Sequence, residues 1–275
     1  MAGAPVLVAH RGGSKLAPEN TLVAFRHAVD DWGADMLELD VHLTADGEVV
    51  VIHDETVDRT TDGSGLVSSK TVQEIQALDA GHRFVDLDGN PGFRSQGVRI
   101  PTMREVIEAF PGVWINVELK AAAAARPLLR VIRECDAEHR VLVAAEYERK
   151  RVEARGYPGP WGASRKHCFL FVLANHLPGG FLYTPPVDVF QVPEYFRGRR
   201  ILTPKLIAAA HRRNIPVHVW TVDDPADMRR LLAWGVDAIQ TDRPDLLSEV
   251  LMDVAGRPPP PMSRRATRAA AEQPT

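Results

Sequence analysis

The chain of 275 residues has little cysteine, no long apolar run and no strong excess of either charge. Its two cysteines, Cys135 and Cys168, lack CxxC spacing. They predict neither a zinc site nor a disulfide framework, and we expect reduced thiols in a cytoplasmic protein. No apolar run reaches the roughly 18 residues of a transmembrane helix, so no stable membrane insertion is expected. The net charge of −3 gives no basic face for nucleic acid.

Short apolar runs alternate with amphipathic segments along the chain, which is typical of βα units around a parallel sheet. The first run, Val6–Ala9, is too short for a signal peptide and is interpreted as a strand. About eight strand-then-helix units predict an α/β fold, a (β/α)8 TIM barrel with a small insertion after a β-hairpin. The other predicted strands are Met36–Leu43 and Val49–His53, which form the hairpin, and Trp114–Leu119, Val141–Ala145, a short strand near Trp161, Val189–Val192, Val217–Thr221 and Ala238–Thr241.

Two stretches fall outside this alternation. Residues 79–100 are rich in glycine with little periodicity, and we interpret them as an inserted loop or cap that could cover a site. From Gly256 onward the chain is rich in proline, arginine and alanine without an apolar face. We therefore expect a catalytic domain over 1–255 and a disordered tail over 256–275.

Two carboxylates stand two residues apart on one predicted strand. Glu38 and Asp40 leave the same face, while Leu37, Leu39 and Val41 take the other. Such a pair repels unless a cation lies between its members, and oxygen-only ligands favour Mg²⁺ or Ca²⁺ over zinc. The alternative is a solvated or salt-bridged pair of acids.

A second pair at the same spacing ends a later strand. Glu118 would add a third carboxylate to a metal shell, and Lys120 would face the same cavity as a cation that neutralises phosphate. A structural Glu–Lys pair is the alternative. The structural pair is the less favoured interpretation because the strands place acids at the carboxyl end of the barrel, where active sites lie.

Two histidines follow neighbouring strands. His10 and His53 could divide the roles of acid and base near neutral pH, although a single histidine at a strand end is more often a satisfied polar residue. Arg11 could bind a phosphate oxygen, and Gly12-Gly13 could let backbone amides approach the anion or could simply form a turn. This combination favours cleavage of a phosphate ester.

Three further residues remain ambiguous. Trp220 lines the substrate pocket or packs inside the barrel, where it shares a face with His218. His42 continues the face of the carboxylate pair but is interpreted as a bystander, because the hairpin turn begins there. Asp242, before Arg243-Pro244, is most simply a helix N-cap.

The chain resembles the glycerophosphodiester phosphodiesterase family through ordered motifs that span nearly all of residues 6–250. The matching motifs are His10-Arg11-Gly12, Pro18-Glu19-Asn20-Thr21, Glu38-Leu39-Asp40-Val41, Thr44-Ala45-Asp46-Gly47, Val51-Ile52-His53-Asp54, Asp58-Arg59-Thr60-Thr61-Asp62-Gly63-Ser64-Gly65, Ile100-Pro101-Thr102-Met103, Val117-Glu118-Leu119-Lys120, Val219-Trp220-Thr221-Val222 and Thr241-Asp242-Arg243-Pro244.

The resemblance implies a TIM barrel with an insertion at about 55–100 and a role for seven of the matched residues. Metal binding is implied for Glu38, Asp40 and Glu118, acid–base catalysis for His10 and His53, and phosphate binding for Arg11 and Lys120. The family cleaves glycerophosphodiesters to glycerol 3-phosphate and an alcohol. Related barrels first use the neighbouring glycerol hydroxyl as nucleophile, which forms a cyclic phosphate that water opens.

The resemblance is weaker in the middle of the chain, the part expected to shape the alcohol pocket. Many members carry a Ser-Phe pair where this chain reads Ala144-Ala145-Glu146-Tyr147, and Pro178–Tyr195 matches only loosely. The alternatives are a phospholipase D acting on lysophospholipids, with Phe84 and Phe93 lining an acyl groove, and a catalytically inactive ligand-binding barrel. The expected partner is a small-molecule phosphodiester; the sequence leaves the oligomeric state open.

Overall fold

A computed structural model describes residues 4–177 and 183–261. Its main sheet runs β5-β4-β2-β1-β10-β9-β6, parallel throughout, with β3 added antiparallel to β2. The strands are β1 Val6–His10, β2 Met36–Leu43, β3 Val49–Val51, β4 Trp114–Leu119, β5 Val141–Ala144, β6 Phe190–Pro193, β7 Tyr195–Phe196, β8 Arg199–Arg200, β9 Val217–Trp220 and β10 Ala238–Thr241.

Two parallel bridges complete the circle between β5 and β6. Trp161 pairs with Val143 of β5, and Gly162 pairs with Val189 just before β6. Residues 161–162 thus supply the eighth strand position, where the sequence predicted a short strand near Trp161. The prediction of a (β/α)8 barrel is confirmed.

The strands consist of apolar residues interrupted by polar ones because the two faces of the barrel sheet have different surroundings. In β2, Leu37, Leu39 and Val41 are fully buried under the surrounding helices, and the alternate positions Glu38 and Asp40 point into the barrel. Both faces are covered, so the strand is buried along nearly its whole length despite its two acids.

The helices begin where the sequence places capping residues and proline. Thr203 and Asp224 cap helices whose first position is proline, which lacks the N–H that would be unpaired there. The helices are α1 Leu22–Arg26, α2 Val72–Gln76, α3 Met103–Ala109, α4 Ala125–Glu134, α5 Glu148–Arg151, α6 Arg165–Ala174, α7 Pro204–His211, α8 Pro225–Ala233 and α9 Pro244–Ala255, with a π-helical turn at His27–Asp31 and 3-10 turns at Val67–Ser69, Ala122–Ala124 and Val152–Ala154.

The segment between β3 and α3 has a small apolar cluster of its own, which includes Val57, Val67 and Ile75. Phe84 and Phe93 pack edge to face inside this segment with ring centroids 5.4 Å apart, and Phe93 packs against the cluster. The two rings therefore contribute to the packing of the insertion, whereas the lysophospholipase alternative requires them to line a groove.

The described residues include an exposed hairpin, formed by β7 and β8, that the sequence did not predict. At the other end of the chain, Arg257 donates to both carboxylate oxygens of Asp35, at 2.7 and 2.6 Å. Residues 262–275 of the predicted tail, and part of the loosely matching stretch from Pro178, lie outside the described residues, so the division at 255–256 stays a prediction.

Within the described part of the chain, none of the helices combines the length and the apolarity needed to cross a bilayer. A cavity of about 940 Å³ opens at the amino ends of the barrel strands, where Met36, Trp114 and His218 line it. Burial lowers the pKa of His218 to about 4. This cavity lies at the end opposite the predicted site.

Candidate active site

Three carboxylates converge at the carboxyl ends of β2 and β4. Asp40 is opposite Glu118 in the register of the two strands, and Glu38 lies one inward-facing position below. Each offers an oxygen, and the three oxygens lie within 4.8 Å of one another. Glu38 and Asp40 are 3% and 1% exposed, so water cannot screen their repulsion.

The charge of Asp40 is balanced by the protein itself. Nζ of Lys120 lies 3.0 Å from its Oδ1 and also donates to Glu118 at 2.9 Å. Nε of Arg11 lies 3.2 Å from Oδ2, and the Asn20 side-chain amide donates to the same oxygen at 3.0 Å. Burial by itself would raise the pKa of Asp40, but Lys120 and Arg11 outweigh it and the pKa is lowered.

Glu38 is less well compensated. Its Oε2 accepts the backbone N–H of Arg11 at 3.1 Å, and Nε2 of His10 is 3.9 Å away. Burial, and then the charge of Asp40, raise its pKa.

A divalent cation fits this group. It would be held by the oxygens of Glu38, Asp40 and Glu118, and it would supply the positive charge that Glu38 lacks. With no cysteine or histidine in the set, the donor chemistry is that of Mg²⁺ or Ca²⁺.

Each predicted catalytic histidine is held by a carboxylate through Nδ1. His10 Nδ1 lies 2.6 Å from Asp242 Oδ1, and His53 Nδ1 lies 2.6 Å from Asp54 Oδ1. Such a contact fixes the tautomer with Nε2 available to a substrate. Burial lowers the pKa of His10, but Glu38 and Asp242 together outweigh it, so the pKa of His10 is raised.

A chain of ion pairs links the two halves of the site. Arg59 donates from Nε to Asp54 at 2.6 Å and from Nη1 to Glu19 at 2.7 Å. Glu19 in turn accepts from Nη1 of Arg11 at 3.1 Å. The loop that carries His53 is therefore tied to the loop that carries Arg11, which sets the spacing of the two histidines.

The structure revises two interpretations of this region. Asp242 is not the cap of α9: the N-cap is Arg243, with no side-chain hydrogen bond, and the carboxylate of Asp242 binds His10. The backbone amides of Gly12 and Gly13 donate to the carbonyls of Ala9 and His10, so they are not free for an anion.

Glycine is instead required at these two positions for close packing. Gly12 and Gly13 have φ of +84° and +89°, which side chains rarely adopt. A Cβ would lie 2.7 Å from Cβ of Ala24 at the first and 2.8 Å from Cγ of Pro244 at the second.

Trp220 and His42, whose roles the sequence left ambiguous, lie in different surroundings. Trp220 ends β9 beside Pro193 of β6, with 42% of its surface exposed, and its substrate role stays a prediction. His42 is buried, and its Nε2 lies 3.1 Å from the carbonyl oxygen of His53. Burial lowers the pKa of His42, which favours the neutral ring that supports the His53 backbone.

The contact of Asp54 with Arg59 gives a prediction for stability against pH. Burial by itself would raise the pKa of Asp54, but hydrogen bonds from Arg59 and His53 outweigh burial and lower this pKa from 3.8 to about 2. A carboxyl with a lowered pKa stabilises the fold above its unfolded pKa, and this contribution is lost as the pH falls towards 2. We expect Asp54→Asn to cost about 1 kcal/mol in urea unfolding at pH 7, after allowance for solvent screening, and progressively less between pH 4 and 2. The exposed Asp88→Asn is the control; a pH-independent cost for Asp54→Asn would contradict the assignment.

Comparison with known proteins shows which family the chain is similar to. The model of the glycerophosphoryl diester phosphodiesterase family matches residues 10–139 and 173–246. A glycerophosphodiester phosphodiesterase of Caldanaerobacter subterraneus is 36% identical over 262 residues, which cover 88% of this chain and 96% of the relative.

Solved structures show the same fold. A glycerophosphodiester phosphodiesterase of Agrobacterium tumefaciens superposes with a TM-score of 0.73 at 28% identity, covering 89% of this chain and 99% of the other. A phosphodiesterase of Oleispira antarctica, solved with its product sn-glycerol-3-phosphate, gives a TM-score of 0.72 at 25% identity and covers 90% and 97% of the two chains.

The barrel and these relatives define a hydrolase of phosphoric diesters. The chain belongs to the glycerophosphoryl diester phosphodiesterase family. The prediction of an enzyme of this class is confirmed. The family model leaves residues 140–172 unmatched, a stretch that includes Ala144–Tyr147, where the sequence departs from the family pattern.

Proposed function

We propose that the chain hydrolyses glycerophosphodiesters to sn-glycerol 3-phosphate and an alcohol with the aid of a divalent cation. The observation that carries the proposal is the convergence of three carboxylates and two carboxylate-bound histidines at the catalytic end of one barrel. The relatives named above support the substrate class, and the two free cysteines accord with a cytoplasmic location.

The residues divide the work according to their positions. Arg11 and Lys120 are the cations nearest the carboxylates, so they hold the phosphate and neutralise the charge that grows on it in the transition state. His10 and His53, each oriented through Nδ1, present Nε2 to the substrate. One removes a proton from the attacking hydroxyl, and the other protonates the departing alcohol.

The cation held by Glu38, Asp40 and Glu118 would supply Lewis acidity that lowers the pKa of a hydroxyl beside the phosphate. We propose that this hydroxyl is the substrate's own glycerol hydroxyl. The first step then forms a cyclic phosphate and releases the alcohol, and water opens the ring in the second step. The two histidines exchange roles between the steps, which returns each to its starting protonation state.

The activity is tested with two substrates side by side. We expect release of glycerol 3-phosphate from glycerophosphocholine, and much less release of choline from lysophosphatidylcholine. Preferred cleavage of the lysophospholipid would instead establish the lysophospholipase D alternative. Loss of both activities in folded protein would favour a ligand-binding barrel.

The cyclic route is tested separately with a glycerophosphocholine analogue that lacks the neighbouring hydroxyl. We expect no turnover of the analogue, and a transient cyclic phosphate signal in ³¹P NMR of the natural substrate. Hydrolysis of the analogue at the normal rate would show that water attacks directly.

Asp242 provides a test of how His10 is oriented. Asp242→Asn keeps the size of the side chain but replaces a carboxylate oxygen by an NH₂ donor. The His10 tautomer that carries its proton on Nδ1 and leaves Nε2 free is therefore less favoured. We expect kcat to fall by up to roughly 10²-fold, the lower end of what a positioned acid or base contributes, with little change in KM or in melting temperature. Asp242→Glu should recover part of the loss. A change in melting temperature or KM without a change in kcat would make Asp242 a structural residue only.

A further inference from the structure

A cluster of aromatic rings and arginines lies at the same end of the barrel as the active site. The guanidinium of Arg165 lies over the ring of Tyr147, at 5.3 Å from its centroid, and over the ring of Phe196, at 5.4 Å. Nη1 of Arg165 also donates to the Tyr147 hydroxyl at 2.7 Å. We call this cluster the basic aromatic rim; its members are Tyr147, Arg149, Lys150, Arg165, Phe196 and Arg197.

The rim borders the mouth of the site. Tyr147 lies three residues beyond β5, whose last residue, Ala144, is opposite Glu118 in the sheet. Phe196 lies three residues beyond β6, whose last residue, Pro193, is opposite Trp220. Both therefore lie on the loops at the carboxyl ends of the strands, on the catalytic face.

The rim is exposed and positively charged on a protein whose net charge is −3. Tyr147 is 36% exposed and Phe196 is 42% exposed. Arg165 pairs with Glu146 at 3.0 Å. By contrast, within the described ranges no carboxylate lies within 4 Å of the cationic groups of Arg149, Lys150 or Arg197, so no neighbouring acid balances their charge.

Each ring has two arginine side chains over it, which indicates what it can bind. Arg149 and Arg165 lie over Tyr147 at 4.9 and 5.3 Å, and Arg165 and Arg197 lie over Phe196 at 5.4 and 5.6 Å. Single-stranded nucleic acid needs open ring faces on which bases stack. A lipid headgroup layer accepts ring edges among cations, because aromatic side chains favour the boundary between water and hydrocarbon.

We propose that the basic aromatic rim docks the enzyme on an anionic lipid bilayer, with the barrel mouth towards the lipid. Phosphate headgroups complement Arg149, Lys150 and Arg197, and the edges of Tyr147 and Phe196 enter the interface. Docking is peripheral and depends on salt. The binding is independent of the proposed hydrolysis. Most of the rim lies in residues 140–172, which the family model does not match.

The test is cosedimentation of the full chain with vesicles of phosphatidylcholine alone or with one quarter phosphatidylglycerol. We expect binding to the anionic vesicles only. Each basic residue near such a surface contributes roughly a factor of five, so Arg149→Glu with Arg197→Glu should lower the partition coefficient by at least about 30-fold. Phe196→Ser should lower the binding that remains at high salt.

The matched control is Arg133→Glu with Arg212→Glu. It changes the net charge equally, but Arg133 is near the end of α4 and Arg212 follows α7, at the opposite end of the barrel. We expect normal vesicle binding by this control. Equal losses in both double variants, retained binding in the rim variant, or tighter binding of wild type to a single-stranded oligonucleotide than to vesicles would each overturn the proposal.

Folding and function are controlled by turnover of the soluble substrate glycerophosphocholine, which the rim variants should hydrolyse at the wild-type rate. Vesicle binding is measured without turnover, so failure of docking and failure of the proposed activity give different results. If the double charge reversal does not fold, Phe196→Ser alone decides: unchanged binding at high salt would overturn the proposal.

Discussion

Replacing Glu118 by Gln should lower turnover of glycerophosphocholine by roughly 10³-fold, because a cation at this site stabilises the transition state by several kcal/mol. Glu118 is one of the three carboxylates that share the site, and it is less buried than Glu38 and Asp40. Its substitution therefore removes a ligand with the smallest disturbance of the core. Calorimetric titration of this variant with Mg²⁺ or Ca²⁺ should show weaker cation binding than in the wild type.

The matched control for this substitution is Glu108→Gln, an exposed carboxylate on α3 whose side chain is 61% accessible. It should bind the cation and turn over substrate normally. Normal cation affinity in Glu118→Gln together with normal turnover would remove Glu118 from the metal shell. Normal affinity with reduced turnover would give it a different role, and both results contradict the account.

Removal of either oriented histidine should have an effect of similar size. We expect His10→Ala and His53→Ala each to reduce kcat by 10²-fold or more, since a positioned acid or base contributes about 10²- to 10⁴-fold. The exposed His139→Ala is the control, and melting temperatures monitor folding. A variant with nearly normal kcat would remove that histidine from the mechanism.

The same variants separate the acid from the base. In a glycerophosphodiester whose alcohol is p-nitrophenol, the leaving group departs as p-nitrophenolate and needs no proton. The variant that lacks the general acid should recover most of its rate on this substrate, and the variant that lacks the base should not. Recovery of both variants would contradict a division of roles between His10 and His53.

The barrel could be predicted because its signals are local. Apolar strands such as β4 and β10 recur between helices, and α7, α8 and α9 open with proline. A two-residue spacing places Glu38 with Asp40 and Glu118 with Lys120 on inward faces. These patterns depend only on residues near one another in the chain, so they survive without knowledge of the fold.

The contacts that orient the histidines could not be predicted in this way. Asp242 reaches His10 across 232 positions of sequence, and Arg59 joins Glu19 across 40. An aspartate before Arg-Pro has an adequate local explanation as a cap, which is why its role was misassigned. Register across the closed barrel, which β10 and β1 share as neighbours, is what brings Asp242 to His10.

The hairpin of β7 and β8 escaped prediction for a different reason. Its strands have two residues each and are exposed on both faces, so Tyr195–Arg200 shows no alternation of buried and exposed positions. Its aromatic and basic residues lie on the surface and not in the core. Only the fold places Arg165 over the rings of both Phe196 and Tyr147.

The measurement that tests the central claim most directly is release of glycerol 3-phosphate from glycerophosphocholine after EDTA treatment, before and after Mg²⁺ or Ca²⁺ is returned. The carboxylate site predicts loss of release with EDTA and recovery with one or both cations, and the better cation identifies the metal. Undiminished release by protein shown to be free of metal would contradict a role for Glu38, Asp40 and Glu118 as metal ligands.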